Sequence, residues 1–194
     1  MSFIAYDPLL GAVKLTDIDP TGPGPSNLVA GTGSSRMNFS MEVLRGYDPA
    51  LGGGEFVFAQ SGGTIAAGTV CQFNESLSAA GVIVDTAVAW AGTANSGDVL
   101  GVAMAALTVG QWGWFQVGGH AVVTCQGAPV AGNPVYWQAA GVVSPTLVAS
   151  KQMEGAKFAT APAITLGSGS TAVVLSATQA VLLLNRPSAQ GNIT

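Results

Sequence analysis

Between Gly97 and Val143 the chain runs GDVLGVAMAALTVGQWGWFQVGGHAVVTCQGAPVAGNPVYWQAAGVV, an alternation that leaves little room for anything but β-structure. From Phe115 onward the odd positions Phe115, Val117, Ala121, Val123 and Cys125 are apolar, while the even ones include Gln116, His120, Thr124 and Gln126. Successive strand side chains point to opposite faces, so a period of two predicts a strand with one buried face. Gly127-Ala-Pro129 stops it and Gly132-Asn-Pro134 turns the chain. Val135-Tyr-Trp-Gln138 then resumes with β-forming residues, which predicts a hairpin-like return.

The same punctuation continues on both sides. Short extended runs are expected at Phe56–Gln60, Thr69–Phe73, Val82–Trp90, Val99–Ala103, Trp114–Cys125, Val135–Trp137, Gly141–Val143, Phe158–Ala161, Ala172–Ser176 and Val181–Asn185. Turn signals such as Gly62-Gly63, Ala80-Gly81, Asn95-Ser-Gly97 and Gly167-Ser-Gly169 separate them. Many short strands at near-regular spacing predict an all-β fold, a single β-sandwich or barrel of jelly-roll-like type, over residues 55–194. Ala103-Met-Ala-Ala-Leu107 is helix-forming in composition but pinned between glycines, so it has room for one helical turn at most.

Residues 1–54 have a different character. Pro8, Pro20, Pro23, Pro25 and Pro49 block helix and central strand alike, and half of the chain's charged residues sit here. Apolar groups including Phe3, Tyr6, Leu9, Leu10, Phe39 and Tyr47 nevertheless need a surface, so a long, extended N-terminal arm is expected. Within it Tyr6-Asp-Pro-Leu-Leu-Gly11 is echoed by Tyr47-Asp-Pro-Ala-Leu-Gly52. Each copy is either a tight turn with an aromatic anchor or one of two pegs for equivalent pockets on a symmetric lattice. Ser40–Arg45 starts like a helix with a capping serine but is too short to hold one alone.

Charge sets limits on partners. Only 8% of the 194 residues are charged, against about 25% in ordinary domains, so this surface must be neutral-polar or covered by neighbours. Six Lys and Arg and a net charge of −4 argue against a nucleic-acid partner, which needs a basic patch to displace phosphate counterions. The start MSFIAYDPLLGAVKL has neither the basic segment nor the apolar run of a signal peptide. Thr171–Leu184 is interrupted by Ser176, Thr178 and Gln179, and falls short of the ~20 residues of a membrane helix. A soluble protein made in the cytoplasm, with no membrane partner, is expected.

No catalytic, cofactor-binding or metal-binding constellation is legible. His120 is the single histidine, on the more polar face of its strand, and is expected to be a hydrogen-bonded or interface residue. The carboxylates Glu75, Asp85, Asp98 and Glu154 are scattered, although an acid pair can still assemble in space. Glycine-rich pieces such as Gly31-Thr-Gly-Ser-Ser35 lack the lysine of a phosphate loop. Cys71 and Cys125 are expected as buried thiols, the alternative being a disulfide if their strands face each other. Trp90, Trp112, Trp114, Tyr136 and Trp137 serve either packing or a sugar-stacking platform. The chain is expected not to be an enzyme.

Gly-Asp-Val-Leu-Gly-Val-Ala (97–103), then Gly110-Gln-Trp-Gly-Trp-Phe-Gln-Val-Gly118, then Gly132-Asn-Pro-Val-Tyr-Trp137 resembles the head-decoration (capsid cement) proteins of tailed bacteriophages over the second two-thirds of the chain. The resemblance implies a structural protein on the outer capsid surface of the virion, with the major capsid protein as partner, often as a homotrimer. It carries over no catalytic residue. On this reading Phe3, Tyr6, Leu9, Leu10, Phe39 and Tyr47 are candidate capsid-binding residues of the arm. Trp112, Trp114, Val181, Leu182, Leu183 and Leu184 are candidates for the subunit interface, since little charge guards the strands. The alternative is a phage tail or fibre module that binds a host-surface glycan through exposed aromatics.

Overall fold

A computed structural model describes residues 4–7, 11–16, 18, 41, 43–77 and 83–191. In these the chain forms strands β1 (Ile4–Asp7), β2 (Gly11–Lys14), β3 (Val43–Asp48), β4 (Gly52–Ser61), β5 (Val70–Leu77), β6 (Ile83–Ala89) and β7 (Leu100–Ala103). After these come β8 (Trp112–Thr124), β9 (Pro134–Ala139), β10 (Val142–Ser144), β11 (Gln152–Phe158), β12 (Thr165–Leu166), β13 (Val173–Val174) and β14 (Gln179–Ala189). One 3-10 turn, Gly169–Thr171, is the helical exception among the described residues. The all-β expectation holds.

Two long strands organise the rest. β4 pairs antiparallel with β8 along one edge, while its other edge takes β3 over its first half and, in parallel, β6 at Gln60 and Ser61. β8 in turn takes β7 at Phe115–Gln116 and β14 from Gly118 to Thr124 on the edge away from β4. Because β7 pairs β5 and β5 pairs β6, the ring β4–β8–β7–β5–β6 closes on itself. Closure removes the free edges that an uncharged sheet otherwise presents. Beyond the ring, β3, β1 and β2 extend the sheet from β4, while β14, β11, β9 and β10 extend it as a wing from β8. The jelly-roll-like order expected of the fold is thereby refined to a five-strand closure with two extensions.

Alternation along these strands builds three apolar layers. Val57, Ala59, Cys71, Phe73, Ala87, Ala103, Phe115 and Val117 fill the barrel lumen together with Ile65 and Leu107, whose backbones bridge one another. Phe73 meets Phe115 edge to face at 5.5 Å. Outside the ring, Val70, Leu100, Val102, Ala121 and Val123 pack against the wing residues Val135, Met153, Phe158, Leu182 and Leu184. On the remaining outer face Phe56, Phe58, Trp112, Trp114, Val122 and Val181 are covered by Leu15, Leu44, Leu51 and Leu175. Each large side chain so buried contributes about 1.5–3 kcal/mol. Cys71 lies in the lumen and Cys125 in the wing layer, so the sheet separates them and both stay free.

The Tyr-Asp-Pro echo is a repeated hairpin. β1 and β2 close with Asp7 opposite Gly11, and β3 and β4 close with Asp48 opposite Gly52. In the second copy the buried Asp48 carboxylate accepts hydrogen bonds from the backbone N–H groups of Ala50 (2.8 Å) and Leu51 (3.0 Å). Gly52, the first residue of β4, follows at φ +82°, a left-handed conformation that glycine adopts without steric cost. The first hairpin then lies beside the second through Ile4 opposite Tyr47 and Ala5 opposite Gly46.

Several expectations are corrected. β9 does not return along β8 but pairs with β10 and β11, because the edge of β8 it was expected to take belongs to β14. The strand expected at Phe158–Ala161 precedes Phe158 instead, and a bulge at Gly155 hides its period by spacing buried Met153 and Phe158 five residues apart. Of the short helical start considered at Ser40–Arg45, Ser40 and Glu42 lie outside the described residues, and Val43–Arg45 belong to β3, whose residues alternate exposed and buried. Ala103 ends β7, and the residues up to Leu107 form a bend in place of a helical turn. The boundary expected after Gly54 falls inside β4, so residues 43–54 belong to the sheet.

Candidate functional site

The expected arm residues divide. Phe3, Leu9, Leu10 and Phe39 lie outside the described residues, and Tyr6 is placed in β1 opposite Ala12. Tyr47, on the outer face of β3, is 59% exposed and available to a partner.

The expected interface residues are spent inside the chain. Trp112, Trp114, Val181, Leu182 and Leu184 are buried within a single copy, and Leu183 alone is half-buried. β14 is apolar on both faces because it is a central strand: Val181 meets the Trp112 and Trp114 layer, and Leu182 and Leu184 meet the wing. Those five side chains, expected at a subunit interface, are instead taken up by the chain's own core. An aromatic platform does not form from the five rings considered. Trp90, Trp112, Trp114 and Tyr136 are buried, and Trp137 donates its Nε1–H to the Trp90 carbonyl (3.1 Å) beneath the Lys151 ammonium, 4.2 Å from its ring.

His120 is hydrogen-bonded as expected, its Nδ1 standing 3.1 Å from the Leu51 carbonyl oxygen. Of the scattered carboxylates, Glu75 and Asp85 become register partners across β5 and β6, while Asp98 and Glu154 lie elsewhere. No group of three or more His, Cys, Asp or Glu placed to hold a metal occurs among the described residues. No helix among them is long and apolar enough to cross a membrane.

What the fold does assemble is an open hollow of about 400 Å³ where β3, β4, β8 and β14 run side by side. Register puts Arg45, Glu55, Gly118 and Asn185 in one row across these strands, on one face of the sheet. Gly46, Gly53, Gly54, Gly118 and Gly119 make its floor. Gly119 is obligatory: its φ is +83°, and a Cβ there would collide with the Gly53 carbonyl oxygen. Beneath the floor the buried Gln116 donates Nε2–H to the carbonyls of Gly118 and His120, both at 3.0 Å, bracing the bulge between β4 and β8.

The rim is charged. Glu55 stands between two guanidinium groups, Arg45 Nε at 3.7 Å and Arg186 Nε at 3.3 Å. Arg186 comes from a bulge in β14 opposite Gly155 and has a φ of +47°, a left-handed conformation that costs a non-glycine residue about 1–2 kcal/mol. A second hollow, about 270 Å³, adjoins the first at Asn185 and carries Lys157 and Leu183. Nothing in the spacing of Arg45, Glu55 and Arg186 marks them as neighbours, since register alone unites them. The available signal was scarcity: in a chain with six Lys and Arg, any convergence of cations is unusual.

Comparison with protein-family models, with curated proteins and with solved structures found no match.

Proposed function

We propose that the chain is a capsid decoration protein of a tailed bacteriophage, which binds the outer capsid surface as a homotrimer, bridges neighbouring capsid subunits and stabilises the head. The observation that carries this reading is where the glycine and aromatic pattern falls. The segments 97–103, 110–118 and 132–137, on which the resemblance to head-decoration proteins rests, supply β7, the first half of β8 and the start of β9. They are thus the scaffold itself, the closing strands of the barrel and the wing beside them. A structural role without catalysis is part of the same proposal. The rival glycan reading loses its support, because four of the aromatics it needs are buried.

In this reading the N-terminal region is the clamp on the major capsid protein, and the barrel is its base. Leu15, fully buried against Leu44, Phe56 and Trp114, ties that region to the base. The sequence between Ile18 and Met41 reaches at most about 75–85 Å at ~3.3–3.6 Å per residue, enough to touch more than one capsid subunit. Three such regions on one trimer bind with avidity, since each later contact is intramolecular.

The test is co-sedimentation with capsids that lack decoration, comparing the full chain with one that begins at Met41 and so keeps β3. The full chain is expected to saturate the capsids and the shortened one to stay in solution. Failure of the full chain to bind overturns the capsid reading, and equal binding by both removes the clamp from the N-terminal region.

A further inference from the structure

We infer that the arginine-rimmed hollow on β3, β4, β8 and β14 is a docking surface for an extended, acidic polypeptide segment of a partner protein. Charge is the first argument. Arg45, Arg186 and Lys157 place three of the chain's six Lys and Arg around the two adjoining hollows, with one of its ten Asp and Glu, Glu55, among them. The rest of the chain is correspondingly acidic. A negatively charged segment is drawn to this place and repelled elsewhere.

Geometry is the second. Arg45 and Arg186 are 84% and 73% exposed, and each meets Glu55 through Nε, so the ends of both planar forks face solvent. A guanidinium fork matches a carboxylate with two parallel hydrogen bonds. Arg186 is held in this position by a left-handed backbone, a strain that persists only where surrounding structure over-determines it. Apart from Glu55 and Asn185, the floor is the backbone of Gly46, Gly53, Gly54, Gly118 and Gly119, so a chain can lie flat across the strands beside Glu55. Tyr47 on β3 and Leu183 on β14 flank it with apolar contact. Such a surface fits acidic side chains alternating with small or apolar ones, and its openness suits a chain better than an enclosed small anion. Glu55 competes with the incoming carboxylates for the same two arginines.

The assignment goes beyond the capsid reading and is tested without capsids. The probe is a fluorescein-labelled nine-residue peptide of alternating Asp and Val, followed by anisotropy on the full chain, with its Asn-for-Asp counterpart as control. The Asp peptide is expected to bind, to weaken as salt screens the charges, and to bind at least tenfold more weakly to the Arg45→Gln/Arg186→Gln variant. Glu55→Gln is expected to tighten binding several-fold, a gain that a damaged fold does not produce. Gly53→Leu keeps every charge, and a Cβ there meets only the Gly46 carbonyl oxygen at 3.9 Å, so the substitution is expected to block the floor without unfolding the sheet. Absence of binding, equal binding of the Asn peptide, or indifference to the arginine pair overturns the proposal. If losing both arginines dissolves a self-assembled oligomer while peptide binding is unchanged, the occupant is a second copy and the proposal is likewise overturned.

Discussion

Replacing Trp114 with alanine separates packing from surface recognition. Trp114 is 1% exposed, and its ring lies 5.0 Å from Phe58, which in turn stacks on Trp112 at 5.6 Å. The substitution removes one of the two largest side chains of the layer between the barrel and Leu15, Leu44 and Leu175, which are held by separate stretches of chain and cannot all collapse into the space. Aromatic-to-alanine changes in such settings cost about 3–5 kcal/mol, and losing the Phe58 pair lies within the upper part of that range. At roughly 2–4 °C per kcal/mol for a domain of this size, the melting temperature should fall by roughly 6–20 °C. Thermal unfolding followed by circular dichroism, with urea unfolding to confirm an unchanged slope, measures this. An unchanged melting temperature with loss of binding on a glycan array would refute the packing account and restore the glycan-binding tail or fibre reading.

Further outcomes are expected. Gly119→Ala should destabilise by more than the about 1–2 kcal/mol of a left-handed alanine, because the added Cβ also collides with the Gly53 carbonyl; a stability within about 0.5 kcal/mol of the parent, the scatter of neutral surface changes, would contradict the close pairing of β4 and β8 at Gly119. Burial raises the Cys71 thiol well above its ordinary 9.0, so the folded chain keeps a proton that the unfolded chain releases. Stability from this group is therefore full below about pH 9 and falls above it by about 1.4 kcal/mol per pH unit; Cys71→Ala should flatten the alkaline limb relative to the parent, and identical limbs would refute the burial. Light scattering on the purified chain should give a trimer, and a stable monomer at micromolar concentration would remove the oligomer from the proposal.

Strand spacing was legible because period-two alternation and glycine punctuation are local signals. The turn after Tyr47 was legible too, since Asp-Pro followed by Gly favours a tight turn and Asp48 closes it by short-range hydrogen bonding, but the strands that flank it were not. Partner choice was not. The parallel pairing of Gln60 with Thr86 and the sharing of Phe115 and Gln116 between β4 and β7 join segments far apart in sequence, and no alternation pattern names its partner. The same limit misassigned β14. A run such as Val181–Leu184, apolar on both faces, fits a subunit interface and a central strand equally well, and the chain's own wing supplies the second cover. The charged hollow was hidden for this reason as well, since Arg45, Glu55 and Arg186 meet only through register and a bulge.

The central claim, that this chain decorates a capsid, is tested most directly by counting its copies per particle in purified virions, using gel densitometry against the major capsid protein. Decoration of the whole shell requires hundreds of copies in fixed proportion to the capsid subunit, and that is the result expected. A few dozen copies or fewer would place the chain in a tail or fibre and contradict the account.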